Sequence, residues 1–208
     1  MRVVILLVLA AVVFGRLGVL IPQPAKLTAE TAKCLLDAKY DFVVIRAWVP
    51  SGNVDPNAIA NIQAAKAAGF KDIDVYMAPC LPCEPIDQTK TMLQALKDQP
   101  YSRVFVSIDV PGWREFKSFN QLFLEDVLTE IAKGSKKPAV FSTKFLWEDN
   151  LGRDYSGASK YDLMYENLNK DPSFKDYQPF GGWRKPYSKH YATGAPVCSL
   201  NMELVYKE

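Results

Sequence analysis

From residue 17 onward, short runs of consecutive apolar residues take turns with longer stretches in which apolar side chains recur every third or fourth position. A continuous apolar run of four to eight residues reads as a strand buried on both faces, whereas the wider spacing reads as a helix that buries one face. Strands are predicted on this basis at 17–21, 42–48, 73–78, 104–109 and 138–141, with helices at 28–39, 56–68, 86–97 and 119–133. Thr28 is the expected N-cap of the first helix, with Glu30 in its first turn. Asp55 and Pro56 are expected to open the second helix and Gly69 to end it. The inward faces are predicted as Ile59, Ile62, Ala65 and Ala68 in the second helix and Met92, Leu93 and Leu96 in the third. In the fourth they are Leu122, Phe123, Val127, Leu128 and Ile131.

Strands that alternate with helices run parallel, because a parallel neighbour is reached only by a crossover and the helix supplies it. The pattern changes near Asp149, where the text becomes rich in Gly, Tyr and Pro. Only short strands are predicted there, at 161–165, 188–191 and 202–206. No repeat, low-complexity tract or linker divides the chain, so one α/β domain is expected.

Ahead of that domain, Arg2, the apolar run 3–14 and Gly15 form the pattern of a secretory signal peptide. The run is too short to cross a bilayer. Residues 1–15 are therefore expected to be removed, leaving 16–208 as a secreted or lumenal protein, the lysosome or phagosome included, with no membrane association after cleavage. Composition narrows the partners. Lys and Arg number 25 against 23 Asp and Glu, and without a basic block to track phosphates nucleic acid is excluded. Four cysteines in an exported chain favour disulfides and allow three pairings. Cys80 and Cys83 can close a small loop, leaving Cys34 for Cys198; zinc competes for Cys80 and Cys83, but it needs about four ligands and His190 is the only histidine. No metal or cofactor is expected, and the protein is expected to be a monomer.

The candidate chemistry starts at the strand 104–109, which ends in Asp109 and is cut off by Pro111-Gly112. An acid at the tip of a buried strand is how α/β barrels present catalytic groups. Glycoside hydrolysis normally needs two carboxyl groups flanking one bond, and the position two residues on is Pro111.

Several strings in order carry a resemblance: Val54-Asp55-Pro56-Asn57-Ala58, Ala67-Ala68-Gly69-Phe70, Asp74-Val75-Tyr76-Met77-Ala78-Pro79-Cys80, Asp171-Pro172-Ser173-Phe174 and Pro179-Phe180-Gly181-Gly182-Trp183. Together with Gly18-Val19, Gln23-Pro24, Arg46 and the four cysteines, they resemble eukaryotic lysozymes of glycoside hydrolase family 25, in the invertebrate and amoeboid branch, across essentially the whole mature chain. The resemblance implies an irregular TIM-like barrel of five β/α units closed by three further strands. It also implies a groove at the strand C-termini that binds peptidoglycan or a related glycan, cut between N-acetylmuramic acid and N-acetylglucosamine.

This chain departs from the family where the chemistry sits. The family's first strand ends in an acid that is Leu20 here, and its Asp-x-Glu on the fourth strand, with the glutamate as proton donor, is Asp109-Val110-Pro111. A family aspartate after the last cysteine is replaced by Glu203. Proline cannot hold or deliver a proton, and loss of a general acid costs about two to four orders of magnitude in rate. The expectation is a lysozyme-like protein with a retained groove and impaired hydrolysis; an active muramidase using a displaced acid, such as Glu115, and a non-catalytic scaffold are the competing readings.

Asp109 and Glu203 are the retained catalytic positions under this reading, and Leu20 and Pro111 the lost ones. Asp74, Tyr76, Arg46, Trp48 and Trp183 are candidate sugar-binding residues, because flat aromatic faces stack on sugar rings and polar edges hydrogen-bond to hydroxyls. Trp113 and Tyr165 are placed with them, Met164 stands where the family suggests a tryptophan, and Gly181-Gly182 reads as a tight turn. His190 is assigned a structural role, since no serine or cysteine nucleophile accompanies it.

Overall fold

A computed structural model describes residues 15–208; the predicted leader, apart from Gly15, lies outside the described residues. Five β/α units come first: β1 (Arg16–Leu20) with α1 (Ala29–Asp37), and β2 (Phe42–Val49) with α2 (Ala58–Ala68), the small strand β3 (Asn53–Val54) lying between these last two. Then follow β4 (Asp72–Met77) with α3 (Pro85–Ala95), β5 (Arg103–Ser107) with α4 (Lys117–Lys133), and β6 (Lys137–Ser142) with α5 (Lys144–Asn150). Three further strands complete the chain: β7 (Asp162–Glu166), β8 (Ser188–Val197) and β9 (Leu200–Lys207).

Parallel pairing runs from β1 through β2, β4, β5, β6 and β7 to β8. β9 is antiparallel to both β8 and β1 and so closes an irregular eight-stranded barrel, with β3 hairpinned onto the end of β2. This is the barrel that the resemblance implies.

The outer wall carries one large apolar cluster, in which Leu35 of α1, Ile62 of α2, Met92 of α3, Leu128 of α4 and Trp147 of α5 meet Val43, Val75, Val104 and Val140 of the sheet. Thr28 caps α1 by accepting the Thr31 N–H, and Gly69 ends α2 in the left-handed conformation at φ 112°. Three expectations need correction. Asp55 does not cap α2: its carboxylate takes the Asn57 N–H and Arg46 Nε, at 2.8 and 2.7 Å, and the helix starts two residues after Pro56, at Ala58. The buried face accordingly uses Ala58, and Ile59 is turned outward. In α4, Leu122 is exposed and Leu124 fills the core, since the helix begins at Lys117 and its stripe follows Leu124, Val127, Leu128 and Ile131. α5 is assigned by no apolar periodicity; Thr143, which accepts the Leu146 N–H, is its only local signal.

Both disulfides form, Cys80–Cys83 and Cys34–Cys198, which removes the two thiols that zinc would need. The second ties α1 to the β8–β9 turn rather than to the last strand itself, across 164 residues, and closing so long a loop is worth about 5 kcal/mol through the unfolded chain.

Inside the barrel, the N-terminal end of the strands is plugged by charge. Lys207 Nζ lies 2.9 Å from Asp74 and 3.2 Å from Asp72, while Arg103 reaches Asp162 at 2.7 Å and Asp74 at 3.4 Å. The rings of Phe42 and Tyr187 cover the cations, at 3.9 Å for Lys207 and 3.8 Å for Arg103. Gly18 is required beside this plug, because a Cβ there would overlap the Phe42 ring.

Candidate active site at the barrel mouth

Above the plug, Leu20, Val44, Tyr76, Phe105, Phe141 and Met164 fill the barrel interior. The mouth at the strand C-termini is where the polar groups gather. β7 ends in Glu166, β8 pairs beside it with His190 opposite, and β9 returns so that Glu203 lies opposite Leu20 of β1. Three adjacent strands thereby bring Glu166, His190 and Glu203 together. His190, 3% exposed, places Nδ1 2.7 Å from a Glu166 oxygen and Nε2 3.5 Å from a Glu203 oxygen, with its ring edge-on to Phe141. Burial pushes the Glu203 carboxyl up, with Glu166 adding to the effect and His190 opposing it. Asp109 lies exposed two residues beyond the end of β5, and its carboxyl is also raised, by partial burial first and then by Glu166.

Leu20 is 2% exposed and belongs to the apolar filling of the barrel, so the first family acid position offers the mouth only hydrocarbon. Pro111 is exposed in the loop after Asp109, and Glu115 is exposed further along the same loop. Arg46 holds Asp55, and the two line the wall near Tyr76, whose phenol is raised by burial while Arg46 draws it back.

The remaining expected sugar contacts lie elsewhere. Asp74 is fully buried in the ion plug, where it offsets the Lys207 and Arg103 charges, so it is not a strand-tip acid. Trp48 is 2% exposed and packs toward the helices, because the bulge between Arg46 and Trp48 turns it out of the barrel. Trp183 is also core: its Nε1 donates to the Tyr161 carbonyl at 2.8 Å and its ring meets Trp147 edge-on at 4.7 Å. The Gly181-Gly182 turn before it has positive φ at both residues. Trp113, half-buried, donates to the Ile108 carbonyl and packs on Phe123.

Beside the acids opens a cleft of about 590 Å³, lined by Asp109, Glu166 and Asn167 together with Tyr165, Phe145 and Leu168. Sequence reasoning missed Glu166, Phe145 and Leu168. Nothing in the local pattern marks Glu166, which lies one residue past the predicted strand 161–165. Phe145 and Leu168 are marked only by an exposure that the linear sequence does not carry.

A family model described as lysozyme-like protein 1 matches residues 19–191. The chain is 34% identical over 180 residues to a probable GH family 25 lysozyme 2 of Dictyostelium discoideum, covering 85% of this chain and 84% of that protein. It belongs to the lysozyme-like proteins of glycoside hydrolase family 25. Among solved structures, the bacterial lysozyme from Streptomyces coelicolor superposes on this lysozyme-like chain with a TM-score of 0.75 at 13% identity, over 93% of this chain and 92% of that one. The modular autolysin LytC from Streptococcus pneumoniae, solved in complex with a synthetic peptidoglycan ligand, gives 0.74 at 12% identity over 93% of this chain and 47% of that one. Those two likenesses concern the fold. The lysozyme-like barrel is thus shared.

Proposed function

We propose that this is an exported lysozyme-like protein that binds peptidoglycan or a related glycan at the barrel mouth and cleaves it slowly or not at all. One observation carries the reading: Leu20 fills the barrel beneath the mouth and Pro111 sits in an exposed loop, so neither resembled acid position can hold a proton. A general acid must reach the glycosidic oxygen with its proton in place, and these side chains have none to give. Binding is supported by the open cleft, whose lining combines acids and an amide with exposed hydrocarbon. The ligand named for the LytC complex supports the same polymer class. Export is supported by the leader pattern and by two disulfides, which persist in oxidising compartments.

The test is release of reducing ends from bacterial cell walls by the mature protein, beside a Leu20→Asp, Pro111→Glu double variant checked for folding by circular dichroism. Negligible release by the natural protein with a gain in the folded variant is expected. Turnover by the natural protein comparable to a working muramidase would refute the proposal. The Glu166–His190–Glu203 cluster favours a second reading, an active enzyme with a displaced acid: within it burial raises the Glu203 carboxyl, and raised carboxyls serve as acids. Under that reading Glu203→Gln abolishes whatever turnover the natural protein shows.

A further inference from the structure

The cleft beside the mouth is lined by unlike side chains. Asp109 and Glu166 are acidic, while Phe145, 73% exposed, and Leu168, 46% exposed, offer hydrocarbon to the same space. A large ring left mostly in water at the lip of a polar cleft is a natural platform for the apolar face of a sugar.

Charge is unbalanced at this place. Among the described residues no hydrogen-bond donor or cation draws the Asp109 carboxyl back; burial and Glu166 both push it up. Among the described residues Glu166 shares its one close basic partner, His190, with Glu203. His190 Nδ1 lies 2.7 Å from the Glu166 carboxylate, and the buried Nε2 has no hydrogen-bond partner while facing Glu203 at 3.5 Å. A lone pair on Nε2 would face a carboxylate, and a proton there would make one imidazolium serve two acids. Arg46 is committed to Asp55, which leaves Lys144 at the lip as the other cation lining the cleft. Among the described residues Asp109 thus has no ion-pair partner, Lys144 pairs with none of these acids, and Glu166 and Glu203 share one imidazole.

We infer that the cleft takes an amino sugar whose amine is free and protonated, the ammonium lying between Asp109 and Glu166 and the ring face resting on Phe145 and Leu168. The inference rests on the glycan-binding reading and adds a preference to it. An ammonium gives charge-assisted hydrogen bonds to both carboxylates, whereas an N-acetyl group is neutral and leaves Asp109 unmet. Free-amine sugars occur in partly deacetylated chitin and in de-N-acetylated wall glycan, and the chemistry of recognition is the same for both.

The experiment is calorimetric titration of the mature protein at about pH 5.5, where amines are protonated and carboxyls begin to ionise fully. The ligands are glucosamine oligomers, N-acetylglucosamine oligomers of equal length, and muropeptides before and after N-deacetylation. The expected result is about tenfold tighter binding of the free-amine forms, a preference that shrinks with added salt. Asp109→Asn and Glu166→Gln should each reduce it toward parity, and Phe145→Ala should weaken amine and N-acetyl ligands alike. Asp109 and Phe145 are exposed, so those two variants test the site even if Glu166→Gln fails to fold. Tighter binding of deacetylated muropeptides than of glucosamine oligomers identifies wall glycan as the source, and the reverse order identifies chitin. Equal or tighter binding of the N-acetyl ligands, or a preference untouched by Asp109→Asn, overturns this inference alone. Binding of none of the ligands overturns it together with the glycan-binding reading.

Discussion

Leu20→Asp asks what the barrel pays for having kept, or lost, an acid at the end of its first strand. The leucine is 2% exposed among Val44, Tyr76 and Met164, and losing its burial costs about 2–3 kcal/mol. The new carboxyl would stand opposite Glu203 in the β1–β9 register, with Glu166 close behind and His190 already held between two acids. Burial and two like charges all push its folded pKa up, so it folds in the protonated form. Holding an aspartic acid neutral costs about 1.5 kcal/mol at pH 5 and up to about 4 kcal/mol at pH 7. The sign follows from proton counting: the folded state binds more protons than the unfolded one, so stability falls as pH rises from about 3.9 through the folded value. Denaturant unfolding should therefore show a loss of about 4 kcal/mol at pH 5 and about 6 kcal/mol at pH 7. An equal loss at the two pH values would mean that the new carboxyl titrates as in water, and the picture of a closed, acid-rich mouth would be wrong. The same numbers place the restoration of activity by the double variant at low pH, where more of it stays folded.

Two further outcomes follow from the charged parts of the barrel. Lys207→Met takes the nearer cation from Asp74, which is fully buried, and should cost about 3 kcal/mol in chemical denaturation because Arg103, at 3.4 Å, is the partner that remains. Partial burial pushes the Asp176 carboxyl up, but hydrogen bonds from Lys189 and Asn167 outweigh it and leave the group below its usual value. Its contribution is therefore present above about pH 4 and lost as pH falls through the folded value. Asp176→Asn should flatten that acid limb of the stability curve and, by leaving the fully buried Lys189 ammonium without a counter-charge, increase proteolysis of the 171–177 loop at neutral pH.

The alternation of strands and helices was legible because periodicity is a local property: a residue's neighbours three or four places away decide which face it shares. The boundaries moved where local signals competed, as when Asp55 turned to Arg46 instead of capping α2. α5 had seven residues and one buried side chain, Trp147, too little to register as a pattern. That Leu20 and Pro111 carry no acidic proton was equally plain, since a side chain's chemistry is known from its identity alone.

Position in three dimensions decided the rest. Asp74 lay on a predicted strand and Glu166 one residue past another, yet one is locked in the plug and the other stands at the mouth, because only barrel closure determines which partners each one meets. Trp48 and Trp183 looked like platforms and Phe145 stood in no predicted element, until packing turned the first two inward and left the third in solvent. Glu166, His190 and Glu203 are far apart in the chain and meet because β9 folds back between β8 and β1. Sequence fixes what each group can do chemically; burial and neighbours, which depend on the whole fold, fix whether it does so.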